Sequence, residues 1–204
     1  MQTDYSVELG REDETLAFPW AGPDGGPRYY DLKREPERLA QIEEAVRFPE
    51  LREFLAVVNS SSGKLETAKC DAWTSGEMNP EEEIFGAPWK FGSYVDLLFS
   101  EFSKRFSFAD HEEFLKKIVS LLSRAPEIPA SAEFLLRRCF YHEHETLPEQ
   151  GILCKQESLR DGFYVTFYLF GYGNDESKAR QQWSIAMKLV SNAFAQLTFR
   201  NPSL

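Results

Sequence analysis

The 204-residue chain is poor in the residues that most often announce chemistry, with three cysteines and three histidines. Cys70, Cys139 and Cys154 have no metal-type spacing, and an odd set of separated cysteines points to reduced thiols in a cytoplasmic protein. No apolar run approaches the roughly 18 residues of a membrane span, so no transmembrane helix is expected. Met1-Gln2-Thr3-Asp4-Tyr5-Ser6 has neither a basic nor an apolar leader region, so no secretory signal is expected. Phosphate-loop and dinucleotide fingerprints are missing, and Gly25-Gly26 sits in a breaker-rich stretch that reads as a turn. Neither Ser60-Ser61-Ser62 nor Ser93 has the Gly-x-Ser-x-Gly context of a nucleophile elbow.

A basic surplus is missing too. Against 33 acidic side chains stand 23 basic ones, a net charge of −10. The imbalance is confined to residues 1–100, with 20 acids and 10 bases, while residues 101–204 hold 13 of each. Nonspecific binding to nucleic acid or anionic lipid needs clustered Lys and Arg, so neither nucleic acid nor membrane is an expected partner. A basic protein surface is compatible with this charge.

What the chain does have is apolar bulk: 42% hydrophobic residues, including 17 Phe, enough for a substantial core. The last third is the clearest stretch. Asp161–Gly171 alternates Phe163, Val165, Phe167 and Leu169 with Tyr164, Thr166, Tyr168 and Phe170. Aromatic and β-branched residues in both sets predict a central strand with both faces at least partly covered. Gly171-Tyr172-Gly173 reads as the break after it, and Asn174 or Asp175 as the cap of a helix. Ala179, Trp183, Met187, Val190, Phe194 and Leu197 then recur every three or four residues, an amphipathic helix over 175–197.

Upstream, short strands are expected at Tyr5–Gly10 and Thr15–Trp20, and helices at Pro36–Phe48 and Leu51–Val58. Strands follow at Lys64–Trp73 and Ser93–Phe102, separated by a polar connection at 74–90. A helix opens near Asp110, where Asp110 and Glu113 are spaced like a capping box, and ends before Pro126 and Pro129. Glu133–His142 is the next strand. Residues 64–204 thus read β-β-α-β-β-α, an α+β two-layer sandwich close to a circularly permuted ferredoxin-like core, with the helices on one face of an antiparallel-rich sheet. Residues 1–63 read as an acidic segment packing on that core.

Two clusters are candidate sites. On the sheet face opposite the helices, Lys69, Asp71 and Trp73 share one side of their strand, and Tyr164, Thr166 and Tyr168 one side of theirs, with Arg138 or Arg137 contributed by the next. If the registers coincide, this is an aromatic, mixed-charge surface for a small polar ligand or a partner protein, and an uncovered face makes a homodimer natural. The preferred alternative is that residues 1–60 pack across this face, since they must pack somewhere.

The second cluster is Tyr141-His142-Glu143-His144-Glu145. His142 and His144, two apart on a strand, present imidazoles to one side, as a ligand pair for zinc or manganese does. Glu145, Asp71, Asp96 or the acidic residues 77–83 would have to complete the shell. The preferred reading of these histidines is a solvated loop edge. Cys139 alternates away from His142, against a thiol–imidazole pair, and His111 is expected to be neutral and solvent-facing. The leading functional expectation is a non-enzymatic binding or interaction domain, the second a metal-dependent hydrolase, the third a small-molecule sensor.

Overall fold

The computed structural model describes residues 1–19, 29–75, 85–144 and 157–199. Six strands, β1 (Gln2–Glu8), β2 (Thr15–Phe18), β3 (Leu65–Ser75), β4 (Trp89–Phe99), β5 (Ala130–His144) and β6 (Glu157–Gly173), form one sheet. Among the described residues four α-helices accompany it: α1 (Glu43–Arg47), α2 (Pro49–Val58), α3 (Phe108–Leu122) and α4 (Glu176–Phe199). Short 3₁₀ turns span Pro36–Gln41 and Phe102–Phe106. No helix among the described residues is long and apolar enough to cross a membrane.

The sheet is ordered β1-β5-β6-β4-β3, and the pairs β5–β6, β6–β4 and β4–β3 are antiparallel. β1 and β2 both run parallel to β5, β1 beside Ser131–Arg137 and β2 beside Arg138–Tyr141. They act as one edge strand interrupted by residues 9–14. The fold class is therefore mixed α+β with a mostly antiparallel six-stranded sheet.

The helices lie on one face because the apolar stripes of both layers meet there. Ala179, Trp183, Met187, Val190 and Phe194 of α4 are fully buried against Phe91, Val95, Phe134, Val165, Phe167 and Leu169. The Trp183 indole N–H donates to Ser93 Oγ at 2.8 Å, so the one polar atom of the largest core residue is satisfied. Asp175 caps α4 by accepting the Lys178 N–H at 2.7 Å. Gly171 and Gly173 do not break the period: they are the last residues of β6 on the helix side, where a Cβ would collide with the backbone of Ala179, Trp183 or Lys178. Glycine is there because helix and strand approach closely.

Other boundaries also moved. Ser107, not Asp110, caps α3, accepting the Asp110 N–H at 3.2 Å. Asp110 thus falls inside the first turn. The Pro36–Phe48 segment is split, because Ile42 is extended (φ −86°, ψ 113°). β4 starts at Trp89, inside the expected polar connection.

The N-terminal helices pack beside α4 rather than across the other sheet face. Phe54 meets Phe167 and Phe194 at centroid distances of 5.5 and 5.1 Å. Glu50 accepts from Arg180 at 3.0 Å and from Ser184 at 2.6 Å, and the Arg180 guanidinium lies 4.5 Å over Trp183. Asn59 closes part of the free edge of β3: its Oδ1 accepts the Thr67 N–H at 3.0 Å. The expectation that residues 1–60 pack across the opposite face does not hold for the N-terminal helices, which bury more by joining the existing helix layer, although Leu16, Phe18 and Tyr29 of the same segment do pack on the opposite face at one end.

Candidate functional site

The face opposite the helices is divided. At one end Leu16, Phe18, Leu98, Cys139, Tyr141 and Tyr164 form a small second core, joined by Tyr29, Ala68 and Phe106. Arg105 is wedged into it, donating to Glu66 at 2.7 Å and to the Phe99 carbonyl at 2.7 Å, with its guanidinium 5.3 Å from the Tyr141 ring. The turn Phe102–Phe106 rests on Gly162, where a Cβ would meet the Arg105 carbonyl at 2.7 Å. This end is sealed.

At the other end the register assembles a continuous row. Asp71 pairs with Tyr94, Tyr94 with Tyr168, and Tyr168 with Glu133, crossing β3, β4, β6 and β5. The next row is Trp73, Gly92, Phe170 and Ser131. Gly92 is the floor of the patch: a Cβ there would lie 2.9 Å from the Trp73 ring and 3.0 Å from that of Phe170. Trp73 meets Phe170 edge-on at 6.2 Å, Tyr94 sits 5.9 Å from Tyr168, and Tyr168 stacks with Phe170 at 6.1 Å and 5°. All four rings are half-buried. The Tyr94 and Tyr168 hydroxyls have no hydrogen-bond partner among the described residues, and Asp71 and Glu133, both exposed, have no ion-pair partner there. At about 4.8 Å per strand, those two carboxylates stand about 14 Å apart across the tyrosines.

Between the sealed and the half-open ends lies a buried carboxyl. Asp96 is only 5% exposed and accepts from Thr166 Oγ1 at 2.7 Å. Burial pushes its pKa up to about 6, against the pull of the Thr166 hydrogen bond and the Lys69 charge. Beside it Arg137 donates to Glu8 at 2.8 Å and to Glu14 at 2.9 Å.

Of the residues singled out from the sequence, Asp71, Trp73, Tyr164 and Tyr168 share this face. Tyr164, however, belongs to its sealed end, and Lys69 sits where a β-bulge between Thr67 and Cys70 shifts the register. Arg138 does not join them. It pairs with Phe163 on the helix-bearing side and donates to Asp161 at 2.6 Å, and period-two alternation gives the face to Arg137 instead. Tyr94, Phe170, Gly92 and Glu133 were missed. The alternation in Ser93–Phe99 separates Tyr94 from the core set, but only pairing shows which strand it borders.

His142 pairs with Leu159 near the far end of the β5–β6 ladder, and His144 with Glu157. Glu145 lies outside the described residues, as does the 77–83 stretch. Asp71 and Asp96 cannot complete a shell there. Asp71 shares its row with Glu133, nine residues or about 30 Å along β5 from His142. Among the described residues no cluster of three or more His, Cys, Asp or Glu side chains is placed to hold a metal. Burial pushes the Cys139 thiol up to about 12, against a thiolate nucleophile at neutral pH.

His111 corrects the sequence reading: it is 1% exposed, set edge-on to Phe99 at 4.7 Å. Its Nδ1 is 2.8 Å from the Ser107 carbonyl, and its Nε2 is buried without a partner. Burial lowers its pKa, with the Ser107 carbonyl opposing. It faces inward because it stands four residues before Leu115 and seven before Ile118, on the buried stripe of α3.

No protein-family model, no curated protein and no solved structure matches this chain. The functional reading rests on its own residues.

Proposed function

We propose that the protein is a non-enzymatic binding domain whose half-open sheet face receives exposed Lys or Arg side chains of a partner protein. The observation that carries this is the row Asp71–Tyr94–Tyr168–Glu133, two tyrosine rings between two unpaired carboxylates, bordered by Trp73 and Phe170. Aromatic faces attract ammonium and guanidinium groups, worth about 0.5–2 kcal/mol per contact, and carboxylates at both ends fix the register of a cationic segment. Lys90 already lies 5.6 Å over Phe170, an intramolecular instance of the contact a partner would make. The surplus of acid in residues 1–100 would steer such a partner.

Strand order β3-β4-β6-β5, with α3 crossing from β4 to β5 and α4 following β6 back over the same face, supports reading the scaffold as a circularly permuted ferredoxin-like sandwich. The unpaired thiols of Cys70 and Cys139 support a cytoplasmic setting.

The test is fluorescence anisotropy with a labelled lysine- and arginine-rich peptide, and with an acidic peptide as control. The expected result is saturable binding of the basic peptide that weakens with salt and falls at least about tenfold in Trp73→Ala/Tyr168→Ala. Equal binding by the variant overturns the reading. So does a self-associated dimer that Trp73→Ala dissociates, which would give the face to a second copy of this chain.

A further inference from the structure

A groove lies on the other side of the molecule, where α3, the start of β3 and the last turns of α4 meet. Its volume is about 810 Å³, within the range of small-molecule sites. The apolar part of its wall comes from Leu65, Phe99, Phe114, Leu121 and Leu197. Around these stand Lys64, Lys104, Lys116, Lys117 and Arg124, against Asp110 and Glu113 alone among the acids. With Glu101 and Glu112, which pair with two of these lysines, five cations face four anions, a small local surplus of positive charge in a chain whose total is −10.

The cations are not equivalent. Lys104 pairs with Glu101 at 3.2 Å, Lys116 with Glu112 at 3.0 Å, and Lys117 with Glu113. Lys64 and Arg124 have no ion-pair partner among the described residues, and their charge is left to the groove. They come from different elements, Lys64 from the residue before β3 and Arg124 from just beyond α3.

We propose that this groove binds a single-chain anionic amphiphile: a long apolar tail on the Phe99–Phe114–Leu121 wall, and a carboxylate or phosphate head held by Lys64 and Arg124. Apolar burial supplies most of the affinity, at about 0.8 kcal/mol for each buried methylene, while the two unpaired cations select the head. This site is independent of the aromatic sheet face and takes the opposite charge. A free amphiphile is favoured over a membrane surface because the molecule as a whole carries a net charge of −10, which an anionic bilayer would repel.

The experiment uses the full chain and a dansyl-labelled long-chain carboxylate, followed by its fluorescence. The expected result is saturable binding, with the probe displaced by dodecyl phosphate and far less well by dodecanol. Lys64→Glu/Arg124→Glu should weaken the probe at least about tenfold with an unchanged melting curve. Ser120→Trp, at an exposed position on the groove wall, should block it sterically.

Five outcomes overturn the proposal, four of them direct. These four are no saturable binding, equal displacement by dodecanol, affinity unchanged in both variants, and binding only to anionic vesicles. Probe uptake seen only after removal of residues 200–204 also overturns it, assigning the groove to the chain's own end.

Discussion

The two faces of β6 make the most instructive comparison in the molecule. Val165, Phe167 and Leu169 on one side and Tyr164, Thr166, Tyr168 and Phe170 on the other come from one strand, with similar bulk and β-propensity. The first set is entirely buried under α3 and α4, while on the second only Tyr164 and Thr166 are sealed and Tyr168 and Phe170 are half-buried. Side-chain chemistry alone does not produce this difference. Helices with apolar stripes accumulate on one face, and the other keeps the residues able to face both rings and water. The hydroxyls of Tyr94 and Tyr168 are the mark of that second role.

The comparison is broken most severely at the helix side. Trp183→Ala should cost about 3–5 kcal/mol in urea denaturation, because a fully buried indole leaves a cavity and Ser93 loses its partner. Gly171→Ala should be comparably damaging, since its Cβ would strike backbone rather than a movable side chain. Trp73→Ala, at the half-open face, should cost well under half as much while weakening basic-peptide binding. Equal destabilisation by Trp73→Ala and Trp183→Ala would show that the two faces are energetically alike, and would remove the basis for calling one of them a recognition surface.

A second prediction concerns the buried carboxyl between the two ends of that face. The pKa of Asp96 is raised from the usual carboxylate range to about 6, so the folded state holds its proton more tightly than the unfolded state. Its contribution to stability is therefore present below about pH 4 and is lost as pH rises through about 6. Asp96→Asn keeps an acceptor for the Thr166 hydroxyl. It should flatten that part of the stability curve and stabilise the protein at neutral pH by up to about 3 kcal/mol. An unchanged pH–stability profile in Asp96→Asn would mean that the carboxyl ionises at its ordinary value.

The smallest expected effect has the same shape and opposite sign. His111 is buried with a lowered pKa, so the unfolded chain takes up its proton first. Stability from this residue is present above about pH 6.5 and falls as pH drops below it, continuing down to the lowered folded value. His111→Gln should weaken this acid-side loss, while the Asp96 effect persists. Denaturation midpoints of the two variants measured across the same pH series separate the two groups.

Much of this was legible one element at a time. The Trp183 stripe, the Asp175 cap and the alternation in 161–171 are local signals set by helical and strand periods. Boundaries failed where a local rule had a nonlocal competitor. Gly171 and Gly173 look like chain breakers until a helix is seen lying on them. Likewise the polar residues before Ser93 conceal the start of β4, whose partner on β6 supplies the hydrogen bonds.

The site divided along the same line. Asp71 and Trp73 were legible as one side of a strand, and Tyr168 as one side of another, but their adjacency depends on a bulge at Thr67–Cys70 and on β4 lying between them. By itself the sequence determined the charge asymmetry, the α+β composition and the amphipathic faces, because each depends on residue type and short-range period. Only the tertiary structure decided which strands are neighbours, that Arg137 rather than Arg138 faces the aromatics, and that the N-terminal helices join the helix layer. A one-residue change of register exchanges the two faces of a strand, and register is fixed by contacts between segments far apart in the chain.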